Sequence, residues 1–180
     1  MRILKTLSGT LVAVLTAACG TLPDTAPPLT LAPHVDLPRF MGDWYVIASI
    51  PTVFEKGVHN GKDTYALRPD GSIATTFTFN ADAPDGPVKH YESTGHVIDT
   101  RSNAVWGQQY VWPFQADYRI SYVSPAYDLT VITRAKRDYV WIMARTPSIP
   151  EAEFDRLAAF VASQGYDIAK LKRVPQRGAM

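Results

Sequence analysis

The sequence feature that most limits how this chain can fold is a series of short β-type runs, each ended by turn chemistry, between positions 44 and 145. The runs are 44–50, 62–67, 73–80, 88–98, 105–111, 118–123, 129–133 and 139–145. Between them lie Pro69-Asp70-Gly71, Pro84-Asp85-Gly86-Pro87, Arg101-Ser102-Asn103, Pro113, Pro125 and Lys136-Arg137-Asp138. Proline presets φ for a turn, and glycine accepts the positive φ that other residues avoid. Several runs alternate: Thr75, Phe77 and Phe79 share one face, and Thr76 and Thr78 the other. The run Tyr139-Val140-Trp141-Ile142-Met143 is apolar on both faces, so its outer side needs a cover. A helix can supply it, with Ser148 as its cap and Pro150 in its first turn. Phe154, Leu157, Ala158 and Val161 then recur at helical spacing, and Gly165 ends the element. A short final strand is expected at 166–169. The pattern predicts an all-β fold: an eight-stranded up-and-down antiparallel barrel with one C-terminal α-helix packed outside. A two-sheet sandwich satisfies the same pattern.

The N-terminus reads as an address. Arg2 and Lys5 precede a mostly apolar stretch at 7–15, then the small residues Thr16-Ala17-Ala18 and the single cysteine, Cys19. Residues 1–18 therefore look like a secretory signal peptide, and the apolar stretch is shorter than the ~20 residues a membrane-spanning helix needs. Small residues ahead of Cys19 resemble the bacterial lipoprotein signal, which implies lipid attachment at Cys19; ordinary cleavage leaving a free thiol is the alternative. Gly20, where retained lipoproteins carry Asp, implies anchoring in the outer membrane. Residues 19–37 contain Pro23, Pro27, Pro28 and Pro33 and read as a flexible tether. One cysteine permits no intrachain disulfide and no thiolate metal site. Without Arg2 and Lys5 the chain has 16 basic against 17 acidic residues, which gives no electrostatic reason to bind nucleic acid.

Phe40-Met41-Gly42-Asp43-Trp44-Tyr45 resembles the first signature of the lipocalin family, Gly-x-Trp-Tyr on the opening strand. Asp138 to Pro147, an aromatic strand that ends in Arg145, resembles the third. Tyr127 falls where the second signature has its tyrosine, although Pro125-Ala126 replaces the usual Thr-Asp. The resemblance covers 37–174 and is nearest to the bacterial, apolipoprotein D-related branch. It implies a barrel domain at 38–174, a tail at 175–180, and a closing motif of Gly42, Trp44, Tyr127 and Arg145. Within that motif the family pattern places Arg145 over the Trp44 ring at the blind end.

Phased by the family pattern, Tyr65, Phe77, Ile120, Leu129, Val131, Tyr139 and Trp141 point inward. Trp106, Gln108 and Tyr110 join them, with a register on their strand that is less fixed. A one-residue slip would invert any of these sets. The expected lining is aromatic with few charges and suits an acyl chain, with tyrosine hydroxyls and Gln108 toward a head group. The resemblance implies a fatty acid or lysophospholipid as partner, stored or transported at the outer membrane. A head group at the open mouth is expected near Phe54, Lys56 and His59. A filled barrel that serves as an envelope structural module is the other reading, and association into a homodimer is left open. No cofactor is implied. No Gly-x-Ser-x-Gly elbow or phosphate loop occurs, and His90 and His96 stand ~20 Å apart on an extended strand. The chain is therefore expected to bind rather than to catalyse.

Overall fold

Each tight turn foreseen in the sequence joins two antiparallel strands. Between the second and third strands Gly71 takes φ +82°, and the Asp70 carboxylate accepts from the Ser72 amide at 2.9 Å and from its hydroxyl at 2.7 Å. The computed structural model describes residues 28–177. The expected signal peptide, Cys19, residues 20–27 and residues 178–180 lie outside the described residues.

A short helix α1 (Leu37–Phe40) leads into β1 (Gly42–Ile50), then β2 (Val58–Leu67), β3 (Ile73–Ala81), β4 (Val88–Val97) and β5 (Val105–Val111). β6 (Phe114–Val123), β7 (Leu129–Thr133), β8 (Val140–Ala144), helix α2 (Glu151–Ser163) and a two-residue β9 (Lys172–Arg173) follow. Neighbours in sequence pair in order from β2 to β8, β8 pairs with β1, and β1 pairs back with β2, so the first eight strands close on themselves. The sandwich is thereby excluded: the fold is a closed antiparallel barrel with α2 outside and β9 added along β1.

Two apolar layers follow from strand alternation. Inside, Trp44, Val46, Tyr65, Ile73, Trp106, Tyr118, Ile120 and Met143 pack with Phe40 and Val35 at one end. Outside, Val140, Ile142 and Ala144 of β8 and Val131 of β7 pack under Leu157 and Val161 of α2. The helix is thus the cover that the doubly apolar β8 requires. Both helix side chains are fully buried, which contributes about 1.5–3 kcal/mol each.

Several expectations need correction. β2 and β6 each begin four residues early, in segments whose polar residues hide the strand pattern. The helix starts at Glu151 with Pro150 as its cap, and Ser148 instead offers its carbonyl to the Thr146 hydroxyl at 2.7 Å. The final strand is 172–173, whereas Ile168–Lys170 forms a 3-10 turn. The later part of the expected tether is built into the barrel. The Ala32 amide donates to the Ile120 carbonyl at 2.9 Å, the Val35 amide to Ser102 at 2.7 Å, and Val35 is fully buried. Part of the expected tail is tied down as well, since the Gln176 side chain donates to the Val46 and Gly61 carbonyls.

Candidate ligand-binding cavity

The barrel is sealed at one end by an aromatic floor. Trp44 and Trp106 are both fully buried there. Phe40 meets Trp44 at 5.1 Å between ring centroids and Trp106 edge-on at 5.5 Å. The Trp44 indole donates to the Phe40 carbonyl at 2.8 Å, and the Trp106 indole to Asn103 at 2.7 Å. Burying two indoles costs little when both N–H groups are satisfied.

Arg145 locks this floor from below. Its guanidinium carbon stands 3.8 Å from the centre of the Trp44 ring. Its nitrogens donate to four carbonyls, those of Asp43, Tyr127, Arg39 and Phe40. Only a planar fork with several fixed donors can serve so many acceptors at once. Gly42 takes φ +92°, and a Cβ there would lie 3.5 Å from the Arg145 guanidinium. Tyr127, at φ +61°, accepts the Asp36 amide on its hydroxyl at 2.8 Å and carries the Arg39 guanidinium 4.1 Å above its ring. Gly42, Trp44, Tyr127 and Arg145 are therefore brought together, with Tyr127 held although its loop departs from the usual pattern.

Above the floor lies a cavity of about 590 Å³. Tyr65 and Tyr118 form its bottom, their hydroxyls 2.8 Å apart and their rings packed on Trp106. Of the residues expected to line it, Tyr65, Phe77, Gln108, Tyr110, Tyr139 and Trp141 do so. Trp106 and Ile120 are sealed in the inner core below and do not reach the space. Leu129 and Val131 face outward to α2. An extra residue in β6 between Ile120 and Tyr122 sends Tyr122 outward with Val131, while Ile132, not Val131, pairs with inward Ile120 and with Trp141 and lines the cavity. That is a one-residue inversion of the whole strand. Lys56 and His59 are not on the lining, and the Phe54 side chain lies outside the described part.

The lining carries four acidic side chains that were not anticipated, Glu55, Asp63, Glu92 and Asp117, against the few charges expected; two of them are held in perturbed surroundings. Asp63 stands on β2 beside Phe77 and two residues before Tyr65, so it shares their inward face. Burial in the barrel wall pushes its carboxyl up to about 8; the nearby Glu55 adds to this, and the Tyr65 hydroxyl opposes it. Glu55, in the 3-10 turn Val53–Glu55, accepts from the Thr52 amide at 2.9 Å and from the Trp141 indole at 3.1 Å. Burial raises its pKa too, against those hydrogen bonds. The i, i+2 spacing to Tyr65 was a legible signal for Asp63. For Glu55, in a loop without periodicity, the sequence carried none.

A lipocalin-like domain model matches residues 35–176. The chain is 30% identical over 181 residues to the outer membrane lipoprotein Blc of Citrobacter freundii, covering 99% of this chain and 100% of that one. It is 33% identical over 153 residues to temperature-induced lipocalin-1 of Arabidopsis thaliana, covering 79% of this chain and 80% of the relative. Among solved structures, insecticyanin from the tobacco hornworm Manduca sexta superposes with a TM-score of 0.65 at 12% identity, over 85% of this chain and 87% of that one.

Proposed function

This chain belongs to the lipocalin family, and from that premise we propose that its cavity holds the acyl chain of a fatty acid or lysophospholipid at the bacterial outer membrane, where Cys19 anchors it. The cavity itself carries the reading: about 590 Å³ of space, walled by Phe77, Tyr139, Trp141, Ile132 and Met143, above a closed floor. An acyl chain gains ~0.8 kcal/mol for each CH₂ it buries, so a dozen carbons supply ~10 kcal/mol before ordering costs. That leaves room for micromolar affinity or better. The location is supported by the full-length similarity to an outer membrane lipoprotein and by the cysteine after the small residues. Among the described residues no helix is long and apolar enough to cross a membrane. The role is storage or transport of a lipid rather than catalysis.

The test is to express residues 20–180, extract the purified protein with organic solvent and identify co-purified lipid by mass spectrometry. Lysophospholipids are then titrated against tryptophan fluorescence, with Trp141→Ala as the comparison. A bound acyl lipid and a saturable response weakened in the variant support the proposal. No lipid and no response would leave a barrel that serves the envelope only as a structural module.

A further inference from the structure

The polar part of the cavity is rich in acceptors and poor in cations. Glu55 and Asp63 make no ion pair among the described residues, although both lie within the barrel's mouth and wall. Arg134 is the cationic side chain on the lining; it stands 3.3 Å from Asp138 and over the Tyr139 ring at 5.2 Å, and its Nε is buried without a hydrogen-bond partner. From β6, Asp117 is held by Arg119 at 2.9 Å, whereas Glu92 of β4 makes no ion pair among the described residues. The other groups facing Asp63 are the hydroxyls of Tyr65, Tyr110 and Tyr118. Gln108, 2% exposed, gives its amide N–H to Thr75 at 2.9 Å and leaves its carbonyl oxygen without a partner. Reversing that amide leaves the nitrogen open instead, so one polar position of Gln108 remains free either way.

A buried carboxyl without a counter-charge either keeps its proton or awaits a cation. Aromatic rings around such a carboxyl attract a cation a second time, through their negative faces. We propose that the ligand's polar end is an ammonium group, primary or quaternary, seated between the Glu55 and Asp63 carboxyls and the rings of Tyr110 and Trp141. The inference rests on the cavity reading above and narrows it, favouring ammonium-bearing amphiphiles over free fatty acids. The ammonium supplies the charge that the wall lacks, and its arrival expels the Asp63 proton. Affinity for a permanent cation therefore weakens as pH falls below about 8, where Asp63 takes up a proton.

Three probes with the same chain separate the possibilities: dodecyltrimethylammonium, dodecanol and dodecanoate. Each is titrated below its micelle concentration into residues 20–180, at pH 8.5 and pH 6, by tryptophan fluorescence and calorimetry. The expected result is an ammonium affinity about tenfold or more above that of dodecanoate at pH 8.5, weakening at pH 6. Asp63→Asn should flatten that pH dependence and lower the ratio of ammonium to alcohol affinity about tenfold; Glu55→Gln should lower the ratio in the same direction. Dodecanoate bound as tightly as the ammonium at pH 8.5, or a ratio that neither variant moves, overturns the head-group inference, while dodecanol binding keeps the cavity reading intact. If dodecanol also fails to bind, both readings fall.

Discussion

The two ends of this barrel are made of the same strands and obey opposite rules. At the closed end each indole N–H has a carbonyl, Arg145 serves four carbonyls, and the aromatic side chains pack with centroids 5–6 Å apart. Around the cavity Glu55 and Asp63 make no ion pair among the described residues, Gln108 and Arg134 each keep a buried polar atom without a partner, and Val53, Val111, Trp112 and Phe114 are exposed. Complete pairing is what a group needs when no ligand ever reaches it. Incomplete pairing costs stability and is tolerated where a ligand completes it. The contrast separates the residues that hold the fold from those that would choose what it carries.

The largest effect should come from the closed end. Trp44→Ala removes a fully buried ring from the aromatic floor, and the expected loss is about 3–5 kcal/mol in urea unfolding. Next is Arg145→Lys, which keeps the charge but cannot reach four carbonyls from one ammonium. The carbonyls that lose their charged donor are partly buried or exposed, and the expected cost is about 1–3 kcal/mol. If Arg145→Lys unfolds at the same urea concentration as the wild type, the lock is decorative and the contrast between the ends loses its main support.

How much of this was legible follows the same division. The strands and turns were readable, because alternation and Pro-Asp-Gly chemistry act over a few residues. Trp44 and Arg145 were readable through family resemblance, being 101 positions apart in the sequence numbering. The inward face of β7 was not, because an extra residue in β6 between Ile120 and Tyr122 breaks the alternation that leads into it, and no residue type announces it. Residues 29–36 look like a tether by composition, yet backbone amides at Ala32 and Val35 find carbonyls on the barrel. β9 escaped because two charged residues, Lys172 and Arg173, pair with β1 through their backbone alone.

Two aspartates sharpen the comparison by opposite responses to pH. Asp63, on the inner wall of the cavity, has a folded-state pKa near 8, far above its ordinary value of 3.8. Between those values the unfolded chain has lost the proton that the fold retains, so stability falls as pH rises through that window and levels off above it. Urea midpoints at pH 5, 6.5, 8 and 9 should decline in that order until pH 8, and Asp63→Asn should flatten the slope. A flat wild-type profile would mean that Asp63 is solvated and ionised, and would weaken the case for a cation-seeking cavity.

Asp43, at the closed end, gives the smallest effect and the opposite sign. Its carboxylate accepts from Lys62 at 2.7 Å and from the Thr64 hydroxyl at 2.6 Å, and the Lys62 hydrogen bond is the main cause of its lowered pKa. A lowered folded-state pKa contributes stability above the ordinary carboxylate range, and that contribution disappears as pH falls through the folded value. The pair is well exposed, with side chains 32% and 47% open, so screening holds its worth to about 0.2–1 kcal/mol. Lys62→Met should therefore lower the urea midpoint slightly at pH 7, the difference should shrink as pH falls below the ordinary carboxylate range, and added salt should shrink it too. The same substitution should leave the pH 5 to 8 decline untouched, because Lys62 is not on the cavity lining that holds Asp63. A Lys62→Met variant that altered that decline would show that the outer ion pair and the inner carboxyl are electrically coupled through the strand, and their treatment as independent groups would have to be given up.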